Sequence, residues 1–171
     1  MLRPNRAFLV LLSLLLALTG CVKQAAPEPA VIRDGAPPWP APRDGVSYLD
    51  KAGLPQLSLD DRSDPWIVQL TITIDGRAVE VARHIGVDRP RALQAPVHTH
   101  DTSGQVWLEG RGNREVTLGQ FFTVWGVRFT GQCLGAACSG LTVTADGAPV
   151  KDAGALVLRG VKQVTISATT D

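Results

Sequence analysis

PVHTHDTSGQVWLEGRGNREVTLGQFFTVWG, residues 96–126, holds both the strongest helix signal of the chain and its densest polar chemistry. Leu118, Phe121, Phe122 and Trp125 fall at i, i+3, i+4 and i+7, the spacing that puts four large apolar side chains on one helical face. Thr117 stands where an N-cap is needed, and Gln120 three residues on completes a capping box. Gly126 stops the helix. Upstream, residues 96–101 read as a short extended run, Thr102-Ser103-Gly104 as a turn and residues 105–109 as a strand. The helix is therefore expected at the centre of the core.

Outward from this centre the chain alternates with period two. Val68, Leu70, Ile72 and Ile74 interleave with Gln69, Thr71 and Thr73, and Asp75-Gly76 marks a two-residue hairpin turn into a strand carrying Val79 and Val81. Residues 85–95 read as a loop. LTVTADGAPV (141–150) repeats the strand, Asp-Gly, strand pattern, and ALVLRGVKQVTISA (155–168) predicts two closing strands. Before the first hairpin, Tyr48, Leu49, Ala52 and Leu54 are close to helical spacing, and Gly53-Leu54-Pro55 limits that helix to one or two turns. The fold class expected is α+β and β-rich: about seven short strands, mostly in hairpins, curled over one central helix in a β-grasp-like arrangement. A plain β-sandwich is the alternative, disfavoured because a lone amphipathic helix needs a sheet to cover it.

The N-terminus carries an address. Arg3 and Arg6 precede an apolar core over residues 7–18, too short for a permanent membrane helix, and Leu18-Thr19-Gly20-Cys21 resembles the bacterial lipobox. Residues 1–20 are read as a lipoprotein signal peptide. Cys21 is the lipidated new terminus, a membrane anchor through its acyl chains, each buried methylene contributing about 0.8 kcal/mol. Residues 21–44 then form a Pro- and Ala-rich tether of roughly 25 Å, and residues 45–171 a single β-rich domain. The address is the outside of the cytoplasmic membrane, or the outer membrane and periplasm. In that oxidising setting Cys133 and Cys138 are expected to pair in a small disulfide loop; their spacing is not the redox-active C-x-x-C.

Cleavage removes two of the 17 basic residues and none of the 16 acidic ones, and 15 − 16 leaves a net charge of −1. That balance excludes electrostatic attraction to nucleic acid or to an anionic membrane surface.

YLDKAGLPQL (48–57), TITIDGR (71–77), IGVD (85–88), PVHTHDTSG (96–104) and TLGQFFTVWGV (117–127) together resemble a family of uncharacterised bacterial exported or membrane-anchored proteins. The resemblance implies a domain and no established activity. It also implies a fuller histidine set in relatives, at positions that here are Ile67, Gln69 and Trp107.

His98 and His100, two apart on an extended run, point to one face and could begin a Zn²⁺ or Cu²⁺ site. Asp101, Glu109 and His84 are the candidate third ligands. The competing reading makes Asp101 and Thr102 a turn and lets the histidines satisfy nearby backbone. The H-x-H-D run differs from the H-x-H-x-D-H of metallo-β-lactamase-like hydrolases in spacing and lacks their later ligands. Ser103, His98 and Asp101 lie too close in sequence for a catalytic triad. With no complete catalytic set, the chain is expected to be a non-enzymatic envelope lipoprotein, a binding or accessory domain for a protein partner. The alternative is a metal-binding lipoprotein built on His98, His100 and a carboxylate.

Overall fold

A computed structural model describes residues 25–171; the signal peptide expected over residues 1–20 and the lipidation expected at Cys21 lie outside the described residues. The described chain is β-rich α+β, with ten strands in two sheets and two helices.

The first long strand, β2 (Trp66–Ile74; β1, Leu57–Ser58, precedes it), sits in the middle of a seven-stranded sheet. Asp75 and Gly76 turn it into β3 (Arg77–Val79), both with positive φ as a hairpin turn of this type demands. On its other side β2 pairs in parallel with the last strand, β10 (Gln163–Thr169), in the register Leu70 to Val164 and Ile72 to Ile166. Next come β8 (Ser139–Ala145) and, through the second Asp-Gly turn, β9 (Ala148–Pro149). The run β3-β2-β10-β8-β9, with first and last strands parallel at its centre, is the order of a β-grasp sheet. β7 (Gln105–Leu108) and β6 (Val97–His98) extend it along the first half of β2.

α2 (Leu118–Trp125) lies on the inner face of this sheet, where Leu118 and Phe121 meet Val68, Leu70, Val106 and Val164. Thr117 Oγ1 accepts from the Gln120 N–H, and Gln120 Oε1 accepts from the Thr117 N–H, so the capping box is complete. Leu118, Phe121, Phe122 and Trp125 are all buried. Gly126 ends the helix at φ 70°, and a Cβ there would also stand 2.6 Å from the Tyr48 ring. Tyr48 belongs to α1 (Val46–Ala52), which packs beside α2 and receives the Gln120 Nε2 hydrogen bond on the Ala52 carbonyl. The Cys133–Cys138 disulfide is formed and closes a loop that inserts Leu134 and Ala137 into the core.

Three expectations are corrected. Residues 85–95 are not plain loop: β4 (Val87–Asp88) and β5 (Leu93–Gln94) join β1 in a small three-stranded sheet, whose two-residue strands are too short to show a period. Residues 155–168 supply one strand, not two, because the 155–162 segment turns and makes only a single bridge, from Val157 to Thr117. Most of the Pro-rich segment is not a free tether. Trp39 is 3% exposed, edge-on to Trp125, whose Nε1 donates to the Trp39 carbonyl. Arg33 pairs through its backbone with Gly126 and Arg128 and donates from Nη2 to the Trp125 carbonyl. The prolines that suggested a tether only exclude regular strand or helix; they do not prevent docking through side chains.

Candidate functional site

The inner and outer faces of the sheet alternate along every strand, and the outer face carries the polar constellation. Val97 faces Leu108 on the helix side, so their neighbours His98 and Trp107, also directly opposite one another, face away from the helix. Ile67 of β2 continues the row across Trp107. Glu109 follows Trp107 by two residues and falls on the same face. Ile67, Trp107 and Gln69, the positions where the resemblance implies further histidines, thus share a face with His98.

This face is nevertheless closed at His98. The ring is 0% exposed and Glu109 4%. Residues 57–63 lie over this end, tied by the Ser63 carbonyl to the Gly110 N–H and by the Asp61 carbonyl to Gln94 Nε2. Thr99 fixes the other side: its Oγ1 donates to the Ala82 carbonyl and accepts the Ile85 N–H, while its carbonyl takes the His84 N–H. Gly86 admits the close approach this needs, since a Cβ at its φ of 72° would meet the Val97 carbonyl at 2.5 Å.

His98 Nδ1 lies 3.1 Å from the Ala95 carbonyl. A carbonyl only accepts, so Nδ1 carries the proton and Nε2 of the neutral ring presents a lone pair. That Nε2 is buried and has no hydrogen-bond partner. Burial drives the His98 pKa down to about 4, the Ala95 carbonyl opposing and the His100 and Arg62 charges adding to the shift. The nearest facing group is Glu109 Oε2, 3.5 Å from Nε2. A charge-assisted N–H···O bond would close to about 2.8 Å. The geometry is instead that of two electron-pair donors facing one another across a gap.

His100 completes the cluster. Its ring stands edge-on to His98 at 4.9 Å and to Trp107 at 5.1 Å, and one ligand atom from each of His98, His100 and Glu109 falls within 4.8 Å of the others. His100 is exposed while the other two are buried, so the cluster has one open side. Two donors bound tetrahedrally at about 2.0–2.1 Å from a zinc ion are about 3.4 Å apart; the Nε2 to Oε2 separation of 3.5 Å is close to this, while the three ligand atoms together span up to 4.8 Å. The Nδ1 hydrogen bond to Ala95 is the outer contact that orients a metal-binding imidazole.

The other sequence candidates go elsewhere. Asp101 Oδ1 accepts the Ser103 N–H at 2.9 Å, and its carboxyl is held below the ordinary range chiefly by its Ser103 contacts. It caps a turn, as the competing reading had it, and is not in the cluster. His84 lies one loop away, its imidazole receiving Arg89 Nη2 at 2.6 Å. Its pKa is lowered by burial and then by Arg89, Arg83 and His100. Neither ring nitrogen of His98 bonds Ser103 or Asp101, Nδ1 facing the Ala95 carbonyl and Nε2 having no hydrogen-bond partner, so no triad forms. Glu109, one of the candidate third ligands, is buried beside His98. The period-two step from Trp107 is the signal that points to it. The Ala95 carbonyl left no mark in the sequence, because any residue would supply it.

No family model, curated protein or solved structure matches the chain.

Proposed function

We propose that this protein is a metal-binding lipoprotein of the cell envelope that holds one divalent transition ion, Zn²⁺ or Cu²⁺, between His98, His100 and Glu109. One observation carries the reading: His98 Nε2 is fully buried, without a hydrogen-bond partner, and aimed at a carboxylate oxygen. An unpaired acceptor facing an anion is costly, and a cation between them removes the cost. Two nitrogens and one oxygen suit Zn²⁺ or Cu²⁺, and the exposed side at His100 leaves a coordination position for water or a donor from outside. Binding or delivery of the ion is the role that this donor set supports.

The envelope assignment rests on Arg3, Arg6, the apolar core and the Leu18–Cys21 lipobox, and the Cys133–Cys138 disulfide supports an oxidising compartment. The second reading is an accessory domain that binds a protein partner of the envelope and no metal, with Asp101 serving only its turn. Metal analysis after dialysis against Zn²⁺ or Cu²⁺ separates the two. The expected result is one ion per chain, lost in His98→Ala/His100→Ala. No retained ion, or an ion retained equally by that variant, would leave only the accessory reading.

A further inference from the structure

A second concave site lies away from the His98 cluster. Residues 40–43 of the docked N-terminal segment and the 80–90 stretch line an open groove of about 550 Å³, within the volume range of small-molecule sites. Its walls are apolar, from Pro40, Ala41, Pro42 and Val87, and its charges are Arg43, Arg83 and Arg89, with Glu80 the one carboxylate. Three arginines thus line one hollow, and all three are exposed.

The ion pairing makes the arrangement informative. Arg91 is held by both Asp44 and Asp88, and Arg114 and Arg159 share Asp64. Among the described residues Arg43, Arg83 and Arg89 have no carboxylate within ion-pair distance. Arg89 is nonetheless oriented, because Nη2 donates to His84 Nε2 at 2.6 Å. His84 takes the left-handed φ of 63°, a region in which histidine is one of the better-tolerated residues, and its backbone N–H is fixed on the Thr99 carbonyl. Guanidinium groups positioned this way match the planar oxygens of phosphate and carboxylate.

We propose that this groove binds a small organic oxyanion, an apolar body seated on Pro40, Pro42 and Val87 with a phosphate or carboxylate group held by Arg83, Arg89 and Arg43. The test is calorimetric titration of the full chain in non-ionic detergent with phenyl phosphate, benzoate and phenol. Treatment with chelator, followed by its complete removal by dialysis, leaves the His98 cluster metal-free, so the outcome is independent of the metal reading. Phenyl phosphate or benzoate should bind saturably at one site, more weakly at high salt, and phenol should not. The tighter of the two anions identifies the headgroup. Arg83→Gln/Arg89→Gln should weaken binding about tenfold or more, the loss expected for charge-assisted hydrogen bonds, with the melting temperature unchanged. Glu80→Gln, which removes the only carboxylate of the groove, should tighten it. Phenol binding as well as the anions, no saturable anion binding, or affinity unaltered in the arginine variant would overturn the proposal.

Discussion

His98 is a buried imidazole whose two nitrogens live in different chemistry, one donating to Ala95 and one aimed at Glu109. Its folded pKa, about 4, lies below the ordinary value near 6.5. The unfolded chain therefore takes up this proton first as pH falls. The contribution is fully present above about pH 6.5 and is lost between there and about pH 4, a change of about 3 kcal/mol. Denaturant titration of the metal-free protein from pH 7.5 to 4 should show that decline, and His98→Gln should flatten it; an unchanged slope in the variant would place the titration elsewhere. The carboxylates are separable by the same logic. Glu109→Gln should reduce Zn²⁺ affinity about tenfold or more, whereas Asp101→Ala, which loses only a turn contact, should leave it unaltered in a competition titration.

At the scale of elements, α2 is the part that local chemistry determines most completely. Thr117→Ala should cost about 1 kcal/mol and Thr117→Ser almost nothing in urea unfolding, because only the hydroxyl cap differs. Gly126→Ala should cost more than about 1 kcal/mol, since it adds a Cβ both to a left-handed residue and against Tyr48. The helix, its caps and both Asp-Gly hairpins were legible because each is specified by residues within ten positions of one another. The parallel pairing of β2 with β10 was not, since it joins residues nearly a hundred positions apart. The small sheet of β1, β5 and β4 was missed for another reason: strands of two residues carry no alternation. The site was legible in the same measure. His98 and His100 announce themselves by spacing, while the burial of Glu109 depends on which segment closes over the outer face.

For the whole molecule, docking of the N-terminal segment changes how the body would sit on a membrane. Arg91 Nη2 already donates to the Ala25 carbonyl, and Trp39 is buried. If Cys21 carries the anchor, only three residues, 22 to 24, lie between it and the folded body, a reach of at most about 14 Å instead of a tether of roughly 25 Å. Limited proteolysis should therefore spare residues 25–44, and Trp39→Ala should destabilise the protein by about 3–5 kcal/mol. Rapid cleavage near Trp39 together with unchanged stability of the variant would restore the tether. Sequence reading erred here because proline content reports on backbone regularity, while a single tryptophan meeting Trp125 decides whether the segment stays down.

The proposed metal site is tested most directly by zinc K-edge X-ray absorption on the Zn²⁺-loaded full chain. The prediction is a four-coordinate shell at about 2.0–2.1 Å, with the outer-shell scattering of two imidazoles, falling to one in His98→Ala. A shell of light oxygens alone, unchanged by that substitution, would contradict it.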